Sequence, residues 1–137
     1  MEVLPDVTME IYEALKKNEF IKNNVEMKNI KFFEYPEAQS IQDTFIVIDP
    51  LDEPTPKDFA DNDNLTHEYF YQIDVFVKHK TGRNARFLCT NLTHAVERTL
   101  RHELGFGQTS SAKPEYNKDF NFYRGTRRFE GKKYYKL

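Results

Sequence analysis

Cysteine, tryptophan, glycine and long apolar runs are scarce in this chain, and each scarcity closes off a class of protein. The 137 residues include one Cys, no Trp, five Gly and six Pro. A lone Cys89 cannot close an internal disulfide, which excludes a disulfide-stapled scaffold and fits a reducing compartment. So little Gly and Pro excludes fibrous and low-complexity classes. The longest apolar runs, such as Phe45-Ile46-Val47-Ile48, fall far short of the ~20 residues a membrane-spanning helix needs. The acidic N-terminal segment lacks the charged-then-apolar order of a signal peptide, so a chain neither secreted nor inserted in a membrane is expected. In that setting Asn64-Leu65-Thr66 and Asn91-Leu92-Thr93 are chance matches to the glycosylation pattern.

Aromatic residues, by contrast, are plentiful. Twelve Phe and eight Tyr make up 15% of the chain, a content suited to cross-strand packing in a sheet and to an interface. With 39% apolar and 31% charged residues the chain should fold, and at this length one core is affordable, so residues 1–137 read as a single domain. The net charge of −2 hides an uneven distribution. Residues 1–66 carry 15 acids and 6 bases, residues 67–116 carry 5 and 7, and residues 117–137 carry 2 and 7, giving −9, +2 and +5. Such a split suits subunits that meet acidic surface to basic surface, provided folding keeps the two ends apart.

Periodicity predicts the elements. Leu4, Val7, Ile11 and Leu15 form one helical stripe that opens near Pro5, with Asp6 and Glu10 at the positive end of the dipole. The pattern breaks at Asn23-Asn24. Strands are predicted at 30–35, closed by Pro36, and at 44–48, ended by Asp49-Pro50. Residues 51–66 read as a long acidic loop carrying Asp52, Glu53, Asp58, Asp61 and Asp63 against Lys57 alone. Strict alternation of Tyr69, Tyr71, Ile73, Val75 and Val77 predicts a strand over 67–79, with Phe70 and Phe76 on its other face. Leu88, Leu92, Val96 and Leu100 predict a second helix that stops at Gly105, followed by a polar stretch, Gln108 to Asn117. A last strand near 119–129 precedes a turn at Gly131. The fold class implied is α+β: a mostly antiparallel sheet of about four strands with two helices packed on one face.

No chemistry converges. His94 and Glu97 share a helical face, but nothing completes a metal site, and such a pair reads as solvated or half-buried. Cys89 and His94, five residues apart on a helix, point roughly 140° apart, so Cys89 reads as a buried thiol and not as a nucleophile. Neither a phosphate loop nor a cofactor motif occurs, and no enzyme is expected. Three readings stand for the acidic loop: mobile and solvated, holding a hard cation, or ordered by a basic partner. At the other end, which also carries the interface candidates Lys132 and Lys133, Arg124, Arg127 and Arg128 lie among Tyr123, Phe129, Tyr134 and Tyr135, a mixture that holds phosphates and stacks on bases. A pI near 6.1 argues against direct nucleic-acid recognition and favours pairing across a protein interface.

The order of the leading helix Leu4–Leu15, the Ile46-Val47-Ile48-Asp49-Pro50 strand with its acidic loop, the aromatic strand Tyr69–Val77, the long helix Arg83–Leu104 and the closing strand Phe120–Phe129 resembles the tail terminator or tail completion proteins of long-tailed phages of Gram-positive bacteria. The resemblance covers nearly the whole chain as order, length and texture, without an invariant motif. It implies a ring, typically a hexamer, that caps the head-proximal end of the tail tube and stops its elongation. The implied partners are further copies of the chain, the tail tube protein and the head–tail connector protein, with DNA only passing through the ring. The implied location is the virion, after assembly in the host cytoplasm. In such a ring the acidic segment Asp52–Asp63 and the basic end Arg124–Lys133 become the candidate contact surfaces, and reversing Arg127 and Arg128 to Glu is expected to weaken assembly. A head–tail connector stopper or adaptor and a small nucleic-acid-binding module remain the alternative readings.

Overall fold

The fold was established from a computed structural model that describes residues 3–134. Tyr135, counted above among the aromatics of the basic end, lies outside the described residues.

Helix α1 (Val7–Lys17) begins where the Asp6 carboxylate accepts a hydrogen bond from the Met9 amide at 3.1 Å, an N-cap. It buries Val7, Ile11 and Leu15, the predicted stripe, while Leu4 stands outside the helix and exposed. Asn18 then stops α1 and caps a second helix, α2 (Glu19–Asn24). Its side chain accepts from the Ile21 amide and donates to Thr99 Oγ1, both at 3.0 Å. The sequence pattern did not reveal α2, because a six-residue helix that buries Ile21 alone has no periodicity to read. Helix α3 (Ala85–Thr99) continues through a π-helical turn (Leu100–Leu104) to Gly105, whose φ of 69° gives the left-handed stop expected there.

Seven strands form one sheet: β1 (Ile30–Phe32), β2 (Thr44–Pro50), β3 (Thr55–Ala60), β4 (Asp63–Lys78), β5 (Gly107–Ser111), β6 (Glu115–Asn117) and β7 (Phe122–Tyr134). Their order is β1-β2-β4-β7-β5, with β3 also along β4 and β6 also along β7. The β1–β2 pair is parallel and every other pair antiparallel. The architecture is thus mixed α and β, but the described residues form three α-helices and seven strands in place of two and about four. The unforeseen strands β3, β5 and β6 lie in polar sequence. With both faces largely wet they have no alternation to display, and only the ladders with β4 and β7 fix them.

The main core lies between the helices and one face of the sheet. Tyr69, Tyr71, Ile73, Val75 and Val77 of β4 join Ile46, Ile48 and Phe129 under the helical stripes. A smaller cluster on the opposite face unites Ile41, Val47, Phe76 and Phe122. Strand β7 can lie under the helical layer because of two glycines. A Cβ on Gly125 would come within 2.5 Å of Thr93 Cγ2 on α3, and one on Gly131 within 2.0 Å of the buried Phe106 ring. Gly131 is therefore no turn, as its sequence suggested; it sits inside β7 opposite Tyr69, vacant so that an aromatic ring can cover it.

The acidic segment 51–66 is not a loop. Pro50 pairs with Tyr71 and Thr55 with Glu68, so the four residues 51–54 stand opposite only Tyr69 and Phe70. That is a two-residue bulge in one long hairpin. Beyond it the ladder runs to Ala60–Asp63, closed by Asp61 and Asn62 with φ of 50° and 64°. Two positive φ values make the tight turn whose twist matches antiparallel strands, and Asp and Asn tolerate that conformation.

Candidate functional site

Strands β3 and β4 form an arm that ends in the Asp61-Asn62 turn. Every residue from Thr55 to Asp63 is exposed except half-buried Lys57, whereas on the β4 side Asn64 and Leu65 are half-buried and Thr66 is wholly buried, so the arm is bare only towards its tip. Phe59 is 70% exposed and Tyr134, on the neighbouring end of β7, 74%. Phe59 stands opposite Asn64 and Tyr134 opposite Thr66, two positions apart on β4, which places both rings on one face of the arm.

The acidic candidates separate by environment. Asp58, at a φ of 55°, accepts from Thr66 Oγ1 at 2.6 Å and from Lys132 Nζ at 3.0 Å. These bonds, Thr66 first, hold its carboxyl below the usual carboxylate range, and the Asp58 bond holds the Lys132 amine above its own. Asp52, Glu53, Asp61 and Asp63 are exposed and pair with no cation among the described residues.

The basic end does not form one patch, because residues of a strand alternate between faces. Lys133 turns to the helical side and meets Glu10 of α1 at 2.8 Å, and Arg127 turns to the same side beside Cys89 and Arg86. Arg124, Arg128 and Lys132 lie on the opposite face, where Arg128 donates to Gln72 Oε1 at 3.1 Å. Folding also fails to keep the acidic and basic ends apart. The pairs Lys132–Asp58 and Lys133–Glu10 join them within one subunit.

Sequence reasoning missed the most tightly bonded polar group. Asp74 of β4 is wholly buried and its carboxylate accepts from Arg124, Thr126 at 2.8 Å and Gln72 at 2.9 Å. The Arg124 guanidinium lies over the rings of Tyr35 and Phe76, 5.5 and 5.2 Å from their centroids. Tyr35 donates to Asp49 at 2.7 Å; partial burial first, then that bond, drives its hydroxyl pKa well above the ordinary value. A lone acid inside the apolar run Ile73–Val77 was the available signal. This network borders an open groove of about 340 Å³ lined by Tyr35, Phe76, Tyr116 and Phe122.

Among the described residues no three His, Cys, Asp or Glu side chains gather as a metal site, and no helix is long and apolar enough to cross a membrane. His94 is exposed on α3. Cys89 is buried, and burial pushes its thiol up to about 11, the opposite of what a nucleophile needs. No protein-family model matches the chain, and no curated protein matches it significantly.

Proposed function

We propose that this chain is a structural assembly protein of a phage virion, a ring-forming component that caps the head-proximal end of the tail tube, ends its elongation and joins it to the head connector. The arm carries the reading. A hairpin tip exposed from Asp58 to Asp63, with Phe59 exposed on it and Tyr134 exposed on the adjoining end of β7, is marginal by itself and gains stability against another protein surface. The order of elements that resembles tail terminators supplies the rest of the argument.

Electron microscopy of lysates from a phage with an early stop codon in this reading frame tests the proposal. Filled heads beside overlong or unjoined tails are the expected result. Normal virions would remove it.

A further inference from the structure

Among the charges that form no ion pair within the described residues are two groups of opposite sign at separate places on the subunit. One is the tip of the arm, where Asp61 in the turn and Asp63 just after it lie close in sequence to exposed Phe59. The other is a corner between α3 and the β5–β6 connection, where Arg86 and Arg127 line one shallow pocket with Ala112 and Pro114. Lys113 is exposed between those two pocket residues, and Phe87, 56% exposed, follows Arg86 in the first turn of α3. Neither Arg86 nor Arg127 joins any of the ion pairs formed among the described residues. Strand β4 holds the two groups apart. Arg127 pairs with Ile73, ten residues along the strand from Asp63, a separation of about 33 Å, so a subunit cannot satisfy its own corner.

We infer that the arm tip of one copy docks on the Arg86–Arg127 corner of the next copy, making a head-to-tail contact between identical subunits. Each patch is a set of charges of one sign that form no ion pair among the described residues, with one exposed aromatic close by in sequence, and the signs are opposite. Two different complementary patches on one subunit generate a heterologous contact, which closes into a ring or runs on as a filament. This inference rests on the assembly reading and adds the surfaces that would make the ring. Of the basic end Arg124–Lys133 it keeps Arg127 in the receiving surface and leaves out Lys132 and Lys133, which are already paired, and Arg124, which is committed to Asp74.

Charge reversal tests it. The full chain is followed by sedimentation velocity up to its solubility limit, as wild type, as Asp61→Arg/Asp63→Arg, as Arg86→Glu/Arg127→Glu, and with all four changes together. Circular dichroism confirms that each is folded. The wild type is expected to form multimers that dissociate as salt is raised, each pair of reversals to weaken association more than about tenfold, and the fourfold variant to recover it. An equimolar mixture of the two paired variants should recover it as well, because each then offers the end the other needs. A wild type that stays monomeric at every concentration, multimers indifferent to both reversals, or no recovery in the fourfold variant and the mixture would each overturn the inference. The lysate experiment judges the capping role independently, since it depends on no particular contact surface.

Discussion

Asp74 and Arg124 are joined by two bonds of 2.7 Å to one carboxylate oxygen, from Nε and Nη2 of the guanidinium. The acid is fully buried while the Arg side chain keeps 31% exposure. That asymmetry fixes what each deletion costs. Arg124→Ala leaves a buried carboxylate without its cation and should destabilise by about 3–5 kcal/mol. Asp74→Ala should cost less, because the guanidinium can turn towards water. Urea denaturation of both single variants and the double variant checks this: the double should cost less than the sum. Equal costs would show that the ion pair is not the reason.

Gly131→Ala should destabilise by about 1–3 kcal/mol, since its Cβ would stand 2.0 Å from the Phe106 ring. Phe106→Ala removes a fully buried ring and should cost about 3–5 kcal/mol. Adding Gly131→Ala to Phe106→Ala should cost little more, as the obstructing ring is then gone. Thermal unfolding of the three variants gives the comparison.

Alkali should weaken the fold through Cys89. Its thiol rises from 9.0 to about 11 on burial, so the stability it contributes is fully present below pH 9 and is lost as pH climbs through 11. Two pH units correspond to roughly 2–3 kcal/mol. Buried Tyr69 and Tyr71 are raised too and add to the loss at the upper end. Cys89→Ala should flatten the fall between pH 9 and 10 in urea titrations, and the wild-type thiol should resist alkylation at pH 8 until the protein is denatured.

The arm should be dispensable for folding. Lys132→Ala, which breaks an exposed ion pair with Asp58, should leave the melting temperature unchanged within error, and so should Phe59→Ser. Under the assembly reading Phe59→Ser reduces multimer formation nonetheless. A large loss of melting temperature in either variant would mean that the arm belongs to the fold's own stability.

Arg127 and Arg128 are neighbours in sequence but face opposite sides of the sheet. Reversing them singly should therefore separate their effects. Arg127→Glu is expected to weaken multimers, whereas Arg128→Glu, which alters only its bond to Gln72, leaves them intact. The same sedimentation measurement distinguishes the two.

The sequence by itself determined the elements that bury one face. The stripe of Val7, Ile11 and Leu15, the alternation of Tyr69 to Val77 and the run from Leu92 to Leu100 with its Gly105 stop are all present in the fold, because burial demands a period and a period is written along the chain. Local sequence did not determine β3, β5 and β6, nor the place of Gly131. An edge strand of Pro, Asp and Lys is extended only because β4 offers it a ladder, and Gly131 reads as a turn until Phe106 is seen lying over it. The tertiary structure alone decided the candidate surfaces. Which charges remain unpaired depends on which strands become neighbours: setting β3 and β7 on either side of β4 consumed Lys132 through Asp58 and Arg124 through Asp74, and left Arg127 with no ion pair among the described residues.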